Sequence, residues 1–462
     1  MKTGSYTLRP YQQKIVDDLK VLPACALYMG TGTGKTLTSL DITKYHPTSK
    51  LLVVCPHSAI KQWKINVNKF FPEYEVVSFP KRATSKDLDY FFKTSILPKR
   101  AVVIINYEMI YRVPWLLHIV NDSWTIIADE LHRAKNMGNR RKPVKATHAL
   151  LRLGDKTPYK IGLTATPTQG KFGGYIDYYA QLTFLGYLNM NYKDFFEKFV
   201  IYKEVTYPTT PFPIKEITGY KNIGDIDEVL KVIARRYTTR YDDFEPQFIK
   251  IMIDRPKSYN KLVREKAYKK DGKVIFLSNS ARSRIAKKTI TTGTVLGYDM
   301  ESNQHALKDN TNKIDWLKDF LQDTDEVVSI FYTYNVELHS LEELCKELGK
   351  KYIVINGKTK DKYSLINDGG YEVVLGQFQA MSEALDGLHL HCHIEVFFSM
   401  PESSLHYIQA IGRIDRIGQT KVPMYYFLIM EHTLDEIIMS NIENKIEFSE
   451  KTLEKLEVEG VY

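Results

Sequence analysis

Residues 29–36 read MGTGTGKT, between an apolar run (ACALY, 24–28) and a stretch with a helical pattern (LTSLDITKY, 37–45). A glycine-rich turn between a strand and a helix aims successive backbone N–H groups at one point, and the helix N-terminus adds positive potential there. The chemistry this suits is the binding of a chain of phosphates. Lys35 is expected to reach the β- and γ-phosphates and Thr36 to offer its hydroxyl to Mg²⁺, while Gly30, Gly32 and Gly34 keep the loop permissive. Met29 stands where such loops usually open with Gly or Ala. The plain alternative is a turn that binds nothing, and the strand-to-helix setting argues against it.

Two further groups of residues could act on the same phosphates. The run IIADELH (126–132) is an apolar strand ending in two carboxylates. Asp129 is expected to hold Mg²⁺ through water and Glu130 to orient or deprotonate the attacking water, because phosphoryl transfer needs positioning and charge neutralisation more than covalent help. The run QAIGRIDRIGQ (409–419) carries Arg413 and Arg416, three apart and so on one face if helical, with Ile411, Ile414 and Ile417 to pack that segment. Two arginines on a fixed face can grip a γ-phosphate from across a cleft, a contribution of roughly 10³–10⁵ in rate. A solvated basic face is the alternative. His389, His391, Cys392 and His393 form a tempting cluster, but the H-x-H-C-H spacing straddles both faces of a strand and reads as a strand end, not a zinc site.

The elements that must carry these groups are short apolar strands separated by helical stretches. Branched runs occur at 50–55, 101–107, 124–128 and 159–163, and again at 327–334, 352–356, 371–375, 394–399 and 424–429. Continuous apolar strands alternating with helices mark a parallel sheet covered on both faces. We therefore expect two α/β lobes, 1–245 and 246–462. An insert at about 170–240 is read as irregular around Pro208, Pro211, Pro213, Gly219 and Gly224, and a basic, helical segment at about 255–310 is placed in the second lobe.

The 462 residues are 44% hydrophobic and 26% charged, with a formal net charge of +9. That is ordinary globular composition with a mild basic excess, compatible with a polyanionic partner. Cys25, Cys55, Cys345 and Cys392 form no C-x-x-C pair, which fits a reducing cytoplasm. The N-terminus has no apolar signal core, and no run of 18 apolar residues suggests a membrane span. From size and composition the expected setting is a bacterial cell or a phage-infected host.

Taken in order, these segments resemble helicase superfamily two, and within it the Swi/Snf-type ATPases. LRPYQ (8–12) looks like that family's adenine-reading motif, which implies that Gln12 contacts the base. LVVCPHSAIKQW (52–63), VVIINYE (102–108), DELHRAKN (129–136) and GLTATPTQ (162–169) are similar to its next four motifs. In the second lobe, IFYTYNVELHSLEE (330–343), QAIGRIDRIGQ and VPMYYFLIMEHTLDEII (422–438) match later ones. One segment departs: MSEALDGLHL (381–390) keeps Gly387 but has Leu385 and His389 where the family has a glycine and an asparagine.

The resemblance implies two tandem RecA-like lobes of parallel sheet with helices on both faces and helical inserts that can brace DNA. ATP would sit between the lobes, with Gly387 and Gln409 among the nucleotide-binding residues. Thr164, Thr166 and His132 would couple the ATP site to the DNA track. The implied activity is ATP hydrolysis that drives translocation on double-stranded or branched DNA without sequence preference, by a monomer whose protein partners the sequence does not name. A strand-separating helicase and a nucleotide-gated DNA-binding module without turnover are the rivals. Further candidate grips on DNA are the basic stretches 140–152 and 281–288.

Overall fold

The computed structural model describes residues 6–30, 32–77, 79, 84–134, 137, 144–168, 174–206, 213–237, 245–382, 387–401, 403–416 and 418–443. The chain divides into two compact units, Met1–Thr239 and Arg240–Tyr462.

Unit 1 is built on strands β1 (Ala24–Met29), β2 (Lys50–Cys55), β3 (Glu75–Val77), β4 (Ala101–Asn106), β5 (Trp124–Asp129) and β6 (Lys160–Thr164). Two later strands, β7 (Val200–Val205) and β8 (Ile214–Tyr220), form a separate antiparallel hairpin, and β9 (Ala234–Tyr237) returns to the main sheet. That sheet has seven strands in the order β3-β4-β2-β5-β6-β1-β9, all pairs parallel. Side chains alternate between two faces with period two. Leu52 and Val54 enter one core layer, while Leu51, Val53 and Cys55 enter the other. Both faces are covered by helices: Leu150 and Leu153 pack on the first, and Leu40, Trp63 and Val67 on the second. A strand buried on both faces has no use for polar residues, hence the unbroken apolar runs.

Unit 2 begins with β10 (Gln247–Ile253) and ends its sheet with β15 (Val328–Tyr332), β16 (Tyr352–Ile355), β17 (Val373–Gln377), β18 (Ile394–Phe397) and β19 (Met424–Met430), in the order β10-β19-β18-β15-β17-β16. Every pair is parallel. Between β10 and β15 the segment 255–310 contains the expected helices, Lys257–Glu265 and Ser280–Ile290. It also contains four strands: β11 (Ala267–Lys270), β12 (Lys273–Phe276), β13 (Thr294–Tyr298) and β14 (Gln304–Lys308). They form an antiparallel meander with its own small core around Tyr259, Leu262, Ile275 and Val295. These strands are short and half solvated, so their polar alternation hid them among lysines.

The insert of unit 1 differs from the irregular excursion expected from its prolines. Val200–Val205 and Ile214–Tyr220 pair as β7 and β8 with a bulge at Ile201/Tyr202, and Gly224 lies in the helix Ile223–Ile233. The prolines at 208 and 211 lie outside the described residues. Among the described residues no helix is long and apolar enough to cross a membrane. All four cysteines are buried and unbridged.

Candidate active site

The strand order β5-β6-β1 decides the geometry of unit 1. Tyr28 on β1 is in register with Thr164 on β6, and Leu163 with Asp129 on β5. The carboxyl ends of three adjacent strands therefore meet at one edge, the place where open α/β sheets bind ligands.

From β1 the chain turns through the glycine loop into the helix Lys35–Thr43. Gly32 and Gly34 both have positive φ, at 75° and 79°. Gly34 is doubly constrained, since a Cβ there would lie 2.3 Å from the Gln12 side-chain nitrogen. The Lys35 ammonium donates to the carbonyls of Met29 and Gly30, each at 2.9 Å, so it lies across the mouth of the loop. Thr36, half-buried, lies in the first turn of the helix. Gln12 is buried against this loop. Its amide donates to the Thr33 carbonyl at 3.2 Å, and its Oε1 accepts from the Arg9 N–H at 2.9 Å. Tyr11 also donates to the Thr33 carbonyl, at 2.9 Å, and stacks on Tyr237 at 3.9 Å between centroids.

Asp129 closes β5. One carboxylate oxygen accepts from the Trp63 indole at 2.8 Å and the other from the Glu130 N–H at 3.0 Å. The Tyr107 hydroxyl donates to the Asp129 carbonyl at 2.8 Å. Burial, followed by the neighbouring Glu130 carboxylate, pushes the Asp129 carboxyl up to about 6, while the Trp63 hydrogen bond and the Lys35 charge hold it down. Such a carboxylate gains from a cation. Oxygen donors at Asp129 and Thr36, with phosphates and water to complete the shell, fit Mg²⁺. Trp63 and Tyr107 were visible only as motif members, and the sequence assigned them no role. The available signal was that a buried indole N–H or phenol requires an acceptor.

Glu130 has φ +54°, a left-handed backbone that non-glycine residues rarely adopt and that concentrates at functional sites. Its carboxylate lies 3.2 Å from His132 Nδ1. The same ring nitrogen is 2.9 Å from the Thr164 hydroxyl, and Thr164 Oγ1 accepts from the Thr166 N–H at 3.1 Å. One continuous polar path thus runs from Glu130 on the loop after β5 to the segment after β6. The Thr166 hydroxyl itself is buried without a hydrogen-bond partner among the described residues.

The second group of residues lies in unit 2. The helix carrying Gln409 spans Ser404–Ile411 and is capped at Gly412, so Arg413 and Arg416 do not share a helical face. They occupy the turns that follow, because Gly412 ends the helix. Both side chains are nearly buried, and each Nε donates to main chain one turn back: Arg413 to Gln409 O at 3.0 Å and Arg416 to Gly412 O at 2.6 Å. Gly387 takes φ +107°, and a Cβ there would lie 2.4 Å from the Asn367 side chain, which explains why this glycine stays in an otherwise divergent segment. Residues 383–386 lie outside the described residues. Cys392 donates its thiol to the carbonyls of Val327 and Ile394.

The basic stretch 281–288 is not a solvated face at its end, since Lys287 and Lys288 are buried. Lys288 belongs to a charged network at the ends of β15 and β18. Lys313 pairs with Asp435 at 2.6 Å, both almost completely buried. Glu337 accepts from Thr292, Ser399 and the Thr333 N–H. Burial lowers the Lys288 ammonium to about 8 against the pull of Glu337 and Asp435. In the other basic stretch, 140–152, residues 140–143 lie outside the described residues.

Comparison with known proteins accounts for this combination. A family model described as the SNF2-related domain matches residues 20–308. The chain belongs to the SNF2-related family. Among its relatives, "Putative protein p41" of Acyrthosiphon pisum secondary endosymbiont phage 1 is 25% identical, with 99% of each chain covered. An "Uncharacterized ATP-dependent helicase YqhH" of Bacillus subtilis is 22% identical over 98% of this chain and 81% of its own length. The Pyrococcus furiosus Hef helicase domain is similar in structure, with a TM-score of 0.52 and 15% identity, covering 94% of this chain and 98% of that one. This likeness speaks to the fold: two RecA-like lobes in tandem. The SNF2-related chain is an ATPase of the helicase and translocase type.

Proposed function

We propose that this ATPase moves along double-stranded DNA, branched or bound by other proteins, by coupling each hydrolytic cycle to the segment 164–168. The observation that carries the reading is the path Glu130–His132–Thr164–Thr166. It joins the carboxylate positioned to act on water to the strand end read as touching the track, so a change at the γ-phosphate is felt there without a long lever.

In this reading Lys35 leaves the loop carbonyls for the β- and γ-phosphates, and the glycine-loop N–H groups cradle them. Thr36 and Asp129 hold Mg²⁺, which neutralises phosphate charge when bound. Glu130 orients the attacking water and takes its proton. Gln12 keeps the loop in place from behind, and reads the base only if it releases the Thr33 carbonyl. Arg413 and Arg416 stabilise the transferred phosphoryl group, and Gly387 and Gln409 contribute to the same nucleotide site. A monomer in a bacterial or phage-infected cytoplasm suffices for this cycle.

The decisive experiment is the ATPase rate with no nucleic acid, single strands, duplex and branched DNA, paired with triplex displacement. Duplex-stimulated turnover and triplex displacement are expected, with no dependence on sequence and a strong dependence on salt. Stimulation by single strands alone, with release of a strand from forked DNA, would favour a strand-separating helicase.

A further inference from the structure

After the β7–β8 hairpin and the helix Ile223–Ile233, the chain lays four residues, Ala234–Tyr237, along the outer side of β1. Tyr237 is in register with Met29, the last residue of β1. The pairing then runs one residue further, because the Gly30 N–H donates to the Tyr237 carbonyl at 2.8 Å. The first glycine of the loop is thereby tied to the edge of the sheet. The loop is tied a second time at Thr33, whose carbonyl accepts from Tyr11 and Gln12 in the first turn of the helix Pro10–Leu19. Within the loop the Thr33 hydroxyl donates to the Gly30 carbonyl at 2.8 Å.

The two anchors are joined to each other. The rings of Tyr11 and Tyr237 lie flat against one another, 3.9 Å between centroids and 6° between planes. Arg235 adds a second tie, donating from Nε to Asp18 at 2.8 Å. Arg235 and Tyr237 are two apart on a strand, and Tyr11 and Asp18 are seven apart on a helix, so strand and helix meet along one face of each. The contacts close a frame around residues 30–33. It runs from the Gly30 N–H to the Tyr237 carbonyl, across the two rings, and from the Tyr11 hydroxyl to the Thr33 carbonyl. A loop with glycine at 30, 32 and 34 loses much backbone freedom when it is ordered. A frame that orders it beforehand leaves less freedom to lose when a ligand binds. A β-branched residue at 237 would complete an edge strand equally well, whereas the frame needs a flat ring to face Tyr11.

We propose that Tyr237 is a positioning residue for ATP, which through its main-chain carbonyl and its stack on Tyr11 holds the glycine loop in the form that accepts the triphosphate. The inference rests on the reading of that loop as the phosphate site.

The test uses the full chain at saturating duplex DNA. Steady-state ATP hydrolysis, the Kd of the non-hydrolysed analogue AMP-PNP with Mg²⁺, and thermal unfolding are measured on Tyr237→Phe, Tyr237→Leu, Tyr11→Phe, Tyr11→Leu and the double Leu variant. In Tyr237→Leu, KM and Kd are expected to rise about three- to tenfold, the range for one aromatic pair, with a smaller change in kcat. Tyr237→Phe keeps both the ring and the carbonyl and is expected to match the parent. In the double Leu variant the rise is expected to fall short of the product of the two single effects, because both substitutions remove the same stack. Parental KM and Kd in Tyr237→Leu, even with a lowered Tm, would reduce Tyr237 to edge packing and overturn the proposal. So would an equal rise in Tyr237→Phe, or two effects that multiply in full. Parental turnover and Kd in Lys35→Ala would instead sink the reading of the loop itself. If Tyr237→Leu does not fold at the assay temperature, Tyr11→Leu removes the same stack from the helix side. Compared with Tyr11→Phe, which keeps the stack and loses only the bond to Thr33, it decides the question on the same readouts.

Discussion

In unit 1 the charged groups at the strand ends keep contact with solvent: Lys35, Asp129 and Glu130 are each half-buried. At the carboxyl ends of β15, β18 and β19 in unit 2 the charges lie inside: Lys288, Lys313, Glu337 and Asp435 are all buried. One sheet edge keeps its charges half-exposed, where the proposed ligand would meet them. The other satisfies most of them internally and uses them to tie the antiparallel meander and the helix Leu434–Glu443 to the ends of β15 and β18. The difference separates two uses of charge that look alike in a sequence. A half-exposed charge stays screened by water whether or not a ligand arrives, whereas a closed buried network is costly to break.

The sharpest way to test that contrast is to remove charge from the open edge. Lys35→Ala or Glu130→Gln is expected to lower DNA-stimulated ATP turnover by about 10³-fold or more, in line with the loss of phosphate positioning and of the water-orienting group. Thermal unfolding of Glu130→Gln is expected to match or exceed that of the parent, because a carboxylate that repels Asp129 is removed. A Glu130→Gln protein that folds and turns over normally would contradict the assignment.

The closed edge is expected to behave in the opposite way. Lys313→Met removes one partner of a pair in which both side chains are at most 1% exposed. It also removes the donor to the Phe398 carbonyl. The expected loss is about 3–5 kcal/mol of stability, read by denaturant unfolding, since Asp435 is left buried without its ion-pair partner. ATP affinity measured below the unfolding range is expected to change little.

A third comparison lies within unit 1, between chemistry and coupling. Thr164→Val removes the hydroxyl that joins His132 to the Thr166 N–H. The ratio of DNA-stimulated to basal ATPase is expected to fall by about tenfold, the equivalent of one or two hydrogen bonds, with the basal rate nearly unchanged. Equal losses in both rates would place Thr164 in hydrolysis and not in coupling.

The smallest effect concerns pH. Asp129 is raised to about 6 from an ordinary value of 3.8, so the folded protein takes up a proton at this site before the unfolded chain does. This group's contribution therefore favours unfolding at neutral pH, and folding gains from it as pH falls from about 6 towards 3.8. Turnover that needs an ionised Asp129, as proposed, runs the other way and is expected to decline as pH falls through the same window. Trp63→Phe removes a hydrogen bond that holds the carboxyl down. The acid limb of the pH–rate profile is expected to move upward by a fraction of a unit, and an unmoved limb would detach Trp63 from the titration of Asp129.

Much of this was legible in the residues. A strand buried on both faces must be apolar throughout, so the central strands of both parallel sheets announced themselves, while the edge strands β3, β9 and β10 did not; the glycine loop and the Asp129–Glu130 pair stood out at the strand ends. The β11–β14 meander did not, because short half-solvated strands rich in lysine carry too weak an alternation. The turn after Ile411 was read as helix because an arginine spacing of three fits both.

By itself the sequence determined which groups can bind phosphate, metal and water, since that capacity belongs to side-chain chemistry and to what glycine permits. Only tertiary structure decided how they are connected. Strand order set Asp129, Thr164 and the glycine loop on adjacent strands, and packing turned Lys287 and Lys288 from an exposed basic face into buried charge. Residues far apart in the chain share an environment only after the sheets form, and desolvation, which sets the energy of every charge here, depends on that environment.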